Sequence, residues 1–287
     1  MKRDVEGAGY ISPAVMTGFV AIALAVMLSF FSVRLAIIPL SVFILCCVAA
    51  PFFPSRGFFL PVNSRGHTGR PAVSLTFDDG PDPETTRPLL QLLDRYAAKA
   101  AFFVTGEKAA KYGDLISEIL AHGHDIGNHS YSHDPLLMLR CPEKLYREIE
   151  STQVLLRRFG ISPRAFRPPV GITNPRLAKV LPQQGLYCVT FSCRANDFGN
   201  RYIKGLSGKI LNKVKPDDIV VLHDTKPKVA GDTECFLREI DLIISCLKNK
   251  GLQIVPLAEL LGRPIMVRIN GVDFVNNIHV PRDTSKH

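Results

Sequence analysis

Hydrophobic positions are distributed unevenly along the chain, and the longest apolar runs lie near its N-terminus. Between residues 7 and 55 the only charged residue is Arg34, and the apolar runs cover residues 13–33 and 35–53. A helix needs about 20 apolar residues to cross a bilayer, whereas a signal peptide has a shorter apolar region and a small-residue cleavage site. We therefore predict a membrane segment of one or two transmembrane helices over residues 1–53.

The number of crossings decides on which side of the membrane the remaining chain lies. One continuous helix over both runs would be about twice as long as a bilayer is thick, which favours a hairpin that turns near Arg34. In a hairpin most flanking basic residues share one side, and the positive-inside rule then places the rest of the chain in the cytoplasm. A single crossing would place it outside, and the sequence leaves both arrangements open.

Beyond residue 71, short β-rich runs alternate with amphipathic helical stretches. Predicted strands span residues 72–77, 100–105, 125–128, 165–167, 187–192, 218–222 and 252–255. Predicted helices span residues 83–96, 108–122, 142–159, 175–184, 203–214 and 234–249. This alternation predicts parallel strands joined by crossover helices. Its length predicts an α/β fold, a distorted (β/α) barrel of seven or eight strands over residues 71–262.

Two segments flank the predicted barrel. Residues 54–70 mix Pro, Gly, Arg and aromatic residues, which is typical of a linker close to a membrane. In residues 263–287, Asn270-Gly271 separates two short β-rich runs, and Asn-Gly suits a type I′ turn. We predict a β-hairpin extension there, and the sequence indicates no catalytic role for it.

The charge balance narrows the choice of partners. The chain has 35 basic and 26 acidic residues, a net charge of +9, which suits anionic lipids or an acidic glycan. No zinc-finger, helix-turn-helix or aromatic-rich RNA-binding motif accompanies the charge, so we expect no nucleic-acid partner. The seven cysteines show no CxxC spacing, which indicates buried small side chains rather than a disulfide framework or a zinc ribbon.

The first predicted barrel strand runs into two adjacent carboxylates, Asp78 and Asp79, followed by Gly80-Pro81. Neighbouring side chains of a strand point to opposite faces, so the two acids can share a site only if the strand stops and the chain turns there. Two carboxylates in one pocket also repel each other. The pattern therefore predicts a cation close to this pair.

Histidines supply the candidate ligands for that cation. His129 and His133 are four residues apart, a spacing that places two imidazoles on one face of a helical turn. Surface helices carry such pairs by chance, but two imidazoles and one carboxylate would suit zinc, cobalt, nickel, manganese or iron. We interpret the nearby His122 and His124 as structural, with His124 positioning the loop.

Two further strands end in residues of catalytic type. Arg167 begins an Arg-Pro-Pro sequence, which is typical of a rigid turn but also suits an arginine that keeps a catalytic carboxylate ionised and oriented. His223 follows a buried apolar run, where a structural histidine at the rim is the commoner finding. A carboxylate on the adjacent strand would make His223 a general acid.

Over residues 71–260 these motifs resemble those of the polysaccharide deacetylases, the NodB-homology domain of carbohydrate esterase family 4. The family's TFDDGP motif is unchanged at Thr76–Pro81, and its H-S/T-x-x-x-H metal motif matches His129–His133. Its Arg-Pro-Pro-aromatic-Gly motif matches Arg167–Gly171, with Val170 in the place of the aromatic residue.

The last two motifs of the family are matched more loosely. Arg194–Phe198 stands for D-x-x-D-W, and Leu222-His223 stands for Leu-x-His with the leucine displaced by one position. The change at Val170 removes one wall of a sugar-binding groove, and the changes at Arg194 and Phe198 affect substrate contacts more than the reaction.

The resemblance implies a role for each matched residue. Asp79, His129 and His133 would hold a divalent metal, zinc first, with cobalt, nickel and manganese as alternatives. Asp78, held by Arg167, would be the general base. The backbone N–H of Val170 would donate a hydrogen bond to the oxyanion, and Leu222 would contact the substrate. His223 would protonate the leaving group as general acid, with Asp197 as its carboxylate partner.

The resemblance also implies a function. We expect a metal-dependent hydrolase that removes N-acetyl, or alternatively O-acetyl, groups from a polysaccharide or a lipid-linked sugar at a bacterial inner (plasma) membrane, with membrane lipid as a second partner. The altered fourth motif supports an alternative, a membrane-anchored glycan-binding module without catalysis. A transporter is excluded because the apolar segments carry no intramembrane acid and no helix-breaking repeat.

Overall fold

A curled sheet of parallel strands forms the centre of the computed structural model, which describes residues 11–228 and 232–269. The strands are β1 (Val62–Asn63), β2 (Ala72–Gly80), β3 (Ala101–Val104), β4 (Asp125–Asn128), β5 (Ile161–Pro163), β6 (Ala165–Phe166), β7 (Tyr187–Val189), β8 (Cys193–Arg194), β9 (Ile219–His223), β10 (Gln253–Ile254) and β11 (Met266–Arg268). Eight of them follow the order β1-β7-β6-β4-β3-β2-β9-β8, and β10 also pairs with β2. The ends of this path, β1 and β8, are not joined, and the sheet is a half-barrel. The predicted α/β barrel class is confirmed.

Most helices lie between strands and cover the outer face of the sheet, and two helices precede the first strand. They are α1 (Pro13–Ser29), α2 (Val33–Ala49), α3 (Thr86–Arg95), α4 (Gly106–Lys111), α5 (Gly113–Ala121), α6 (Pro142–Arg157), α7 (Leu177–Gln183), α8 (Leu206–Leu211), α9 (Asp232–Asn249) and α10 (Leu257–Leu261). The apolar stripe of α3, which includes Leu89 and Leu93, is typical of an amphipathic helix, and both leucines are fully buried. The single helix predicted over residues 108–122 is interrupted at Tyr112, whose φ of −125° and ψ of 53° are not helical.

Strand alternation separates the outer core from the interior of the half-barrel. On β2, Val73, Leu75 and Phe77 join the outer apolar cluster that packs against the helices. The intervening residues Thr76 and Asp78 therefore face the interior. This arrangement places polar side chains on the concave side of the sheet, where the carboxyl ends of the strands meet.

The N-terminal helices α1 and α2 pack against each other as a hairpin. A Cβ added at Gly18 would lie 3.1 Å from the ring of Phe43, so the glycine allows close approach of the two helices. Residues Val33–Phe52 form a helical segment of 20 residues that is apolar and long enough to cross a membrane, whereas Pro13–Ser29 is apolar but shorter. Length and composition of this kind suit a membrane anchor and equally a signal sequence.

Part of the predicted linker belongs to the sheet. Leu60 is buried in an apolar cluster with Phe166, and β1 pairs in parallel with β7. Leu60 and β1 thus lie within the residues predicted as a linker and pack on the edge of the sheet. The sequence does not predict β1, because the strand has only two residues and lies between turn-forming residues.

The C-terminal extension pairs with another part of the fold. β11 lies antiparallel to β5, with Val267 opposite Ser162. The predicted turn at Asn270-Gly271 and the second strand of the predicted hairpin lie outside the described residues. The first predicted strand of the extension is therefore present, but its observed partner is β5.

Candidate active site

A bulge near the end of β2 brings Asp78 and Asp79 to the same cavity. The strand continues to Gly80, and its pairing with β3 shifts register between Asp78 and Gly80. Asp79 has a φ of 67°, a left-handed conformation in which Asp is several-fold enriched. The prediction that the strand stops at the acids is wrong, because a bulge can redirect a side chain within a strand.

Asp79, His129 and His133 bring one ligand atom each into a single cluster. Asp79 Oδ1 lies 3.3 Å from Nε2 of His129 and 3.1 Å from Nε2 of His133. The three atoms fall within 4.8 Å of one another. Zinc bonds to nitrogen and oxygen are about 2.0–2.2 Å long, so one ion can reach all three. The structure thus brings together the three residues predicted as metal ligands.

A loop, and not the predicted helical turn, places the two histidines. Ser130 and His133 have φ values of 65° and 52°, which no helix contains. The carboxylate of Glu148 accepts hydrogen bonds from the backbone N–H groups of Tyr131 and Ser132, at 3.1 and 2.8 Å. This buried acid of α6 therefore stabilises the loop. Glu148 lies on the buried, mainly apolar face of α6, and a charged residue on that face is the signal by which the sequence could have revealed its role.

The hydrogen bonding of His129 determines which ring nitrogen faces the cluster. Nδ1 lies 2.7 Å from the backbone oxygen of Arg167, so Nδ1 carries a proton and Nε2 is the ring nitrogen that faces the cluster. Asp79 Oδ1 has no other hydrogen-bond partner among the described residues and offers a lone pair to the same space. A cation must lie between Nε2 and the carboxylate oxygen, either a proton on Nε2 or a metal ion that replaces it. The donor set therefore fits a divalent metal.

The charges around the cluster shift several pKa values. Burial opposes ionisation of Asp79, but the hydrogen bond from His129 and the surrounding imidazoles outweigh it, so the pKa of Asp79 is lowered. Burial opposes protonation of His129, yet Asp78 and Asp79 hold its pKa above the usual range. Burial and the neighbouring His129 lower the pKa of His133. The cluster favours a positive charge at its centre.

Arg167 is fully buried and fixes Asp78. Its Nη1 donates to Asp78 Oδ1 at 2.6 Å and to Thr76 Oγ1 at 2.7 Å, and its Nη2 donates to the backbone oxygen of Thr190 at 3.0 Å. The guanidinium lies 4.0 Å from the centre of the Phe103 ring. Because these hydrogen bonds and the contact with the Phe103 ring fix the guanidinium of Arg167, the second carboxylate oxygen of Asp78 is held in one position.

His223 and Asp197 form a second buried pair. Nδ1 of His223 lies 2.7 Å from Oδ2 of Asp197, and Asn200 ties the loop to the strand by donating to the backbone oxygens of His223 and Thr225. Burial opposes protonation of His223, but the hydrogen bond and the charge of Asp197 outweigh it and raise the pKa of His223 to about 9. His223 is therefore protonated at neutral pH. No motif in the sequence indicates this role of Asn200.

The cavity above these residues corrects one predicted contact. Val170 lies at its rim, half exposed, as a substrate-facing position requires. Leu222, predicted to contact substrate, is fully buried in the outer core, and Val221 lines the cavity instead. The prediction for Leu222 is wrong because His223 faces the interior, and the residue that shares its face lies two positions earlier.

The two remaining histidines of this region lie outside the cluster, as their structural interpretation requires. His124 is buried and accepts a hydrogen bond from the backbone N–H of Ala100 at 3.2 Å. Burial lowers the pKa of His124 to about 4, so its ring is neutral. His122 contacts Asp94 on α3, with 2.5 Å between Nδ1 and Oδ2.

Comparison with known proteins supports the resemblance seen in the sequence. A family model for polysaccharide deacetylase matches residues 65–189. The chain is 32% identical over 192 residues to a peptidoglycan-N-acetylglucosamine deacetylase of Bacillus cereus, an alignment that covers 67% of this chain and 69% of that protein. The chain belongs to the polysaccharide deacetylase family. The family model ends before Asp197 and His223, and the assignment of these two residues rests on their geometry.

Two further polysaccharide deacetylases are similar over most of their length. A chitooligosaccharide deacetylase of Bradyrhizobium is 30% identical over 203 residues, covering 67% of this chain and 92% of that protein. The crystal structure of the Bc1960 peptidoglycan N-acetylglucosamine deacetylase, in complex with an N-oxidanyl-benzamide, has a TM-score of 0.64 at 29% identity. That similarity covers 71% of this chain and 94% of the other. The family model, which begins at residue 65, does not include the apolar N-terminal helices.

Proposed function

We propose that this protein is a metal-dependent hydrolase that removes N-acetyl groups from amino sugars at a membrane. One observation carries the proposal. The ligand atoms of Asp79, His129 and His133 lie in one cavity. The Asp78–Arg167 pair and the His223–Asp197 pair lie beside them. The names of the relatives, which describe deacetylation of peptidoglycan and chitooligosaccharides, support a carbohydrate substrate. The apolar helices support a location at the membrane.

Asp79, His129 and His133 are the residues that would hold the metal. When bound, a divalent ion would supply a Lewis acid that polarises the acetyl carbonyl and lowers the pKa of water. Asp78 takes the proton from the attacking water, because one of its oxygens is engaged by Arg167 and the other faces the cluster, 4.0 Å from Nε2 of His129. This is general base catalysis by a fixed carboxylate.

Breaking the amide bond also requires a general acid for the leaving amine and a hydrogen-bond donor for the negative charge that develops on the carbonyl oxygen. The backbone N–H of Val170 donates to the oxyanion as the carbonyl carbon becomes tetrahedral, a role that needs no particular side chain. His223, protonated and held by Asp197, donates its proton to the departing amine of the sugar. The C–N bond then breaks, the sugar leaves as a neutral amine, and the acyl carbon becomes the carboxyl carbon of acetic acid, which ionises to acetate.

Removal of divalent metal tests the proposal directly. We expect a chelator to abolish acetate release from N-acetylated chitooligosaccharides and peptidoglycan fragments, because the three ligands alone provide no Lewis acid. Adding back zinc, cobalt, nickel or manganese singly should restore it and identify the preferred metal. Stoichiometric metal in a protein that releases no acetate from any acetylated sugar would instead favour a glycan-binding module without catalysis.

The alkaline side of the pH profile tests the role of Asp197. His223 must be protonated to act as an acid, and its pKa is raised to about 9, so activity should fall as the pH rises through about 9. In Asp197→Asn the charge that raises this pKa is lost, and the fall should move to lower pH by at least about one unit. The ratio of kcat/KM in wild type and variant should therefore grow from pH 6 to pH 9. A constant ratio would contradict the assignment.

A further inference from the structure

Two arginines at the cavity mouth have no role in the reaction described above. Arg194 and Arg201 both line the cavity that contains the three candidate ligands, and both are exposed. Neither guanidinium lies within 4.0 Å of a carboxylate anywhere in the described residues. Most exposed arginines are simply solvated, but these two converge on the opening through which substrate must enter.

The loop that carries Asp197, the carboxylate partner of the general acid, also carries Arg201. Three of its residues, Asn196, Phe198 and Asn200, have φ values of 56°, 53° and 57°, which turn Asp197 inward while its neighbours point outward. The backbone N–H of Arg201 donates to the backbone oxygen of Asp197 at 2.9 Å. The arginine is therefore anchored one turn from the catalytic pair.

Arg194 is held from the other side. It lies on β8, beside the central strand β9, and its guanidinium carbon is 5.6 Å from the centre of the Phe191 ring. Stacking on an aromatic ring limits the movement of a guanidinium. Arginine forks bind phosphate through paired charge-assisted hydrogen bonds, and two forks on one rim make a site for an anion.

The acids of the cavity do not compete for these arginines. Asp78 is paired with Arg167, Asp197 with His223, and Asp79 with the two imidazoles. Each carboxylate on the floor thus has its own partner, and the positive charge of the rim faces the substrate. A neutral glycan would leave this charge unused.

The apolar hairpin ends next to the same opening. Pro54 follows α2 by a few residues, and its Cβ would lie 3.3 Å from a Cβ added at Gly171, which lines the cavity. Phe52 and Phe53, between α2 and Pro54, are 72% and 53% exposed. If the hairpin lies in a membrane, the cavity opens close to the membrane surface, where the phosphate group of a lipid-linked sugar lies.

We propose that the substrate is an N-acetylated sugar bearing a phosphate group, that Arg194 and Arg201 bind this phosphate, and that an apolar lipid chain is attached to it. The proposal deepens the proposed deacetylase function and rests on it for the sugar. The phosphate part rests on the arginines alone, and the lipid part on the position of the hairpin. Each part can fail separately.

Three substrates distinguish the parts in assays of the detergent-solubilised or vesicle-reconstituted full chain. They are a neutral chitooligosaccharide, N-acetylglucosamine 1-phosphate, and the same sugar phosphate esterified to a polyisoprenol in vesicles. We expect kcat/KM to be at least about tenfold higher for the second than for the first, since hydrogen bonds to charged groups contribute about 1.5–3 kcal/mol, and higher again for the third. Equal rates on the first two would overturn the phosphate site, and equal rates on the last two would overturn the lipid source.

Substitutions link the preference to the two arginines. In Arg194→Ala and Arg201→Ala we expect KM for the phosphorylated sugars to rise roughly 10- to 100-fold with little change in kcat, since uniform binding is lost. Rates on the neutral oligosaccharide should fall at least about fivefold less than rates on the phosphorylated sugars, because only the latter lose the charged hydrogen bonds. Arg238→Ala is the matched control, because Arg238 is an exposed arginine of α9 that pairs with Glu234. Equal losses on all substrates would overturn the proposal.

A binding measurement separates this proposal from the deacetylase function. Asp78→Asn protein should bind N-acetylglucosamine 1-phosphate in calorimetry, and addition of Arg194→Ala or Arg201→Ala to that variant should weaken binding by the same factor as the KM effect. If wild type releases no acetate from any sugar but this binding persists, the proposed reaction fails and the phosphate site stands. If binding does not depend on either arginine, the phosphate site is overturned whatever the activity.

Discussion

Asp78→Asn should reduce acetate release by about 100- to 10,000-fold, the range that loss of a general base produces. The amide keeps the shape of the carboxylate, and its oxygen can still accept the hydrogen bond that Arg167 Nη1 now donates to Oδ1 at 2.6 Å. What the amide cannot do is take a proton from water. Steady-state acetate release on a chitooligosaccharide measures the loss, and metal content measured on the same sample should equal that of wild type.

Asp79→Asn is the matched partner of this variant, because the two acids are adjacent and both reach the cavity. The bulge gives them different neighbours: Asp79 Oδ1 lies 3.1 and 3.3 Å from the two imidazoles, and Asp78 Oδ2 lies 4.0 Å from the nearer one. Asp79→Asn should therefore lose metal together with activity. Loss of metal in Asp78→Asn with retention in Asp79→Asn would show that the roles are reversed, and an active Asp78→Asn would exclude Asp78 as the base.

Much of the fold followed from hydrophobic periodicity. Each of the seven predicted strands has a counterpart in the structure, and the strand predicted at residues 125–128 has the observed bounds. Buried parallel strands read as continuous apolar runs, and this signal is strong. The short strands β1, β5 and β8 were missed, because two or three residues between turns carry no period.

The sequence predicts which residues form the site better than it predicts the backbone conformation that brings them together. Asp78, Asp79, His129 and His133 were identified by residue type and by resemblance, and the structure brings them to one cavity. Their convergence depends on left-handed backbone at Asp79 and His133, and no sequence pattern specifies which non-glycine residue adopts it. Tertiary contacts such as those of Glu148 with the histidine loop stabilise these conformations.

The error at Leu222 has a different origin. Matching the family motif by its leucine shifted the alignment by one residue, and a shift by one residue exchanges the two faces of a strand. Val221 shares the inner face with His223, whereas Leu222 shares the outer core with Phe77. Because side chains alternate between the two faces of a strand, the residue two positions before His223 lies on the same face as His223. This rule alone identifies Val221 without the motif.

Arg167→Ala should destabilise the folded domain by about 3–5 kcal/mol, because it leaves the carboxylate of Asp78 buried without its counter-charge. Arg167 is the largest of the fully buried side chains, so a cavity adds to the loss. Arg167→Lys should recover little, since a single ammonium cannot replace the fork that reaches Thr76, Asp78 and Thr190 together. Denaturant titration followed by near-ultraviolet tyrosine signals measures these changes in a chain that has no Trp.

The double variant Asp78→Asn/Arg167→Met separates the two causes of this loss. If the unpaired charge dominates, the double variant should be more stable than Arg167→Met alone, because Asp78→Asn removes the charge that Arg167→Met leaves buried without a partner. If packing around Phe103 dominates, Arg167→Met alone should recover the stability and Asp78→Asn should add nothing. The first outcome would mean that removing either partner of the Asp78–Arg167 ion pair alone destabilises the fold. The position of Asp78 in the site and the stability of the sheet would then depend on the same buried arginine.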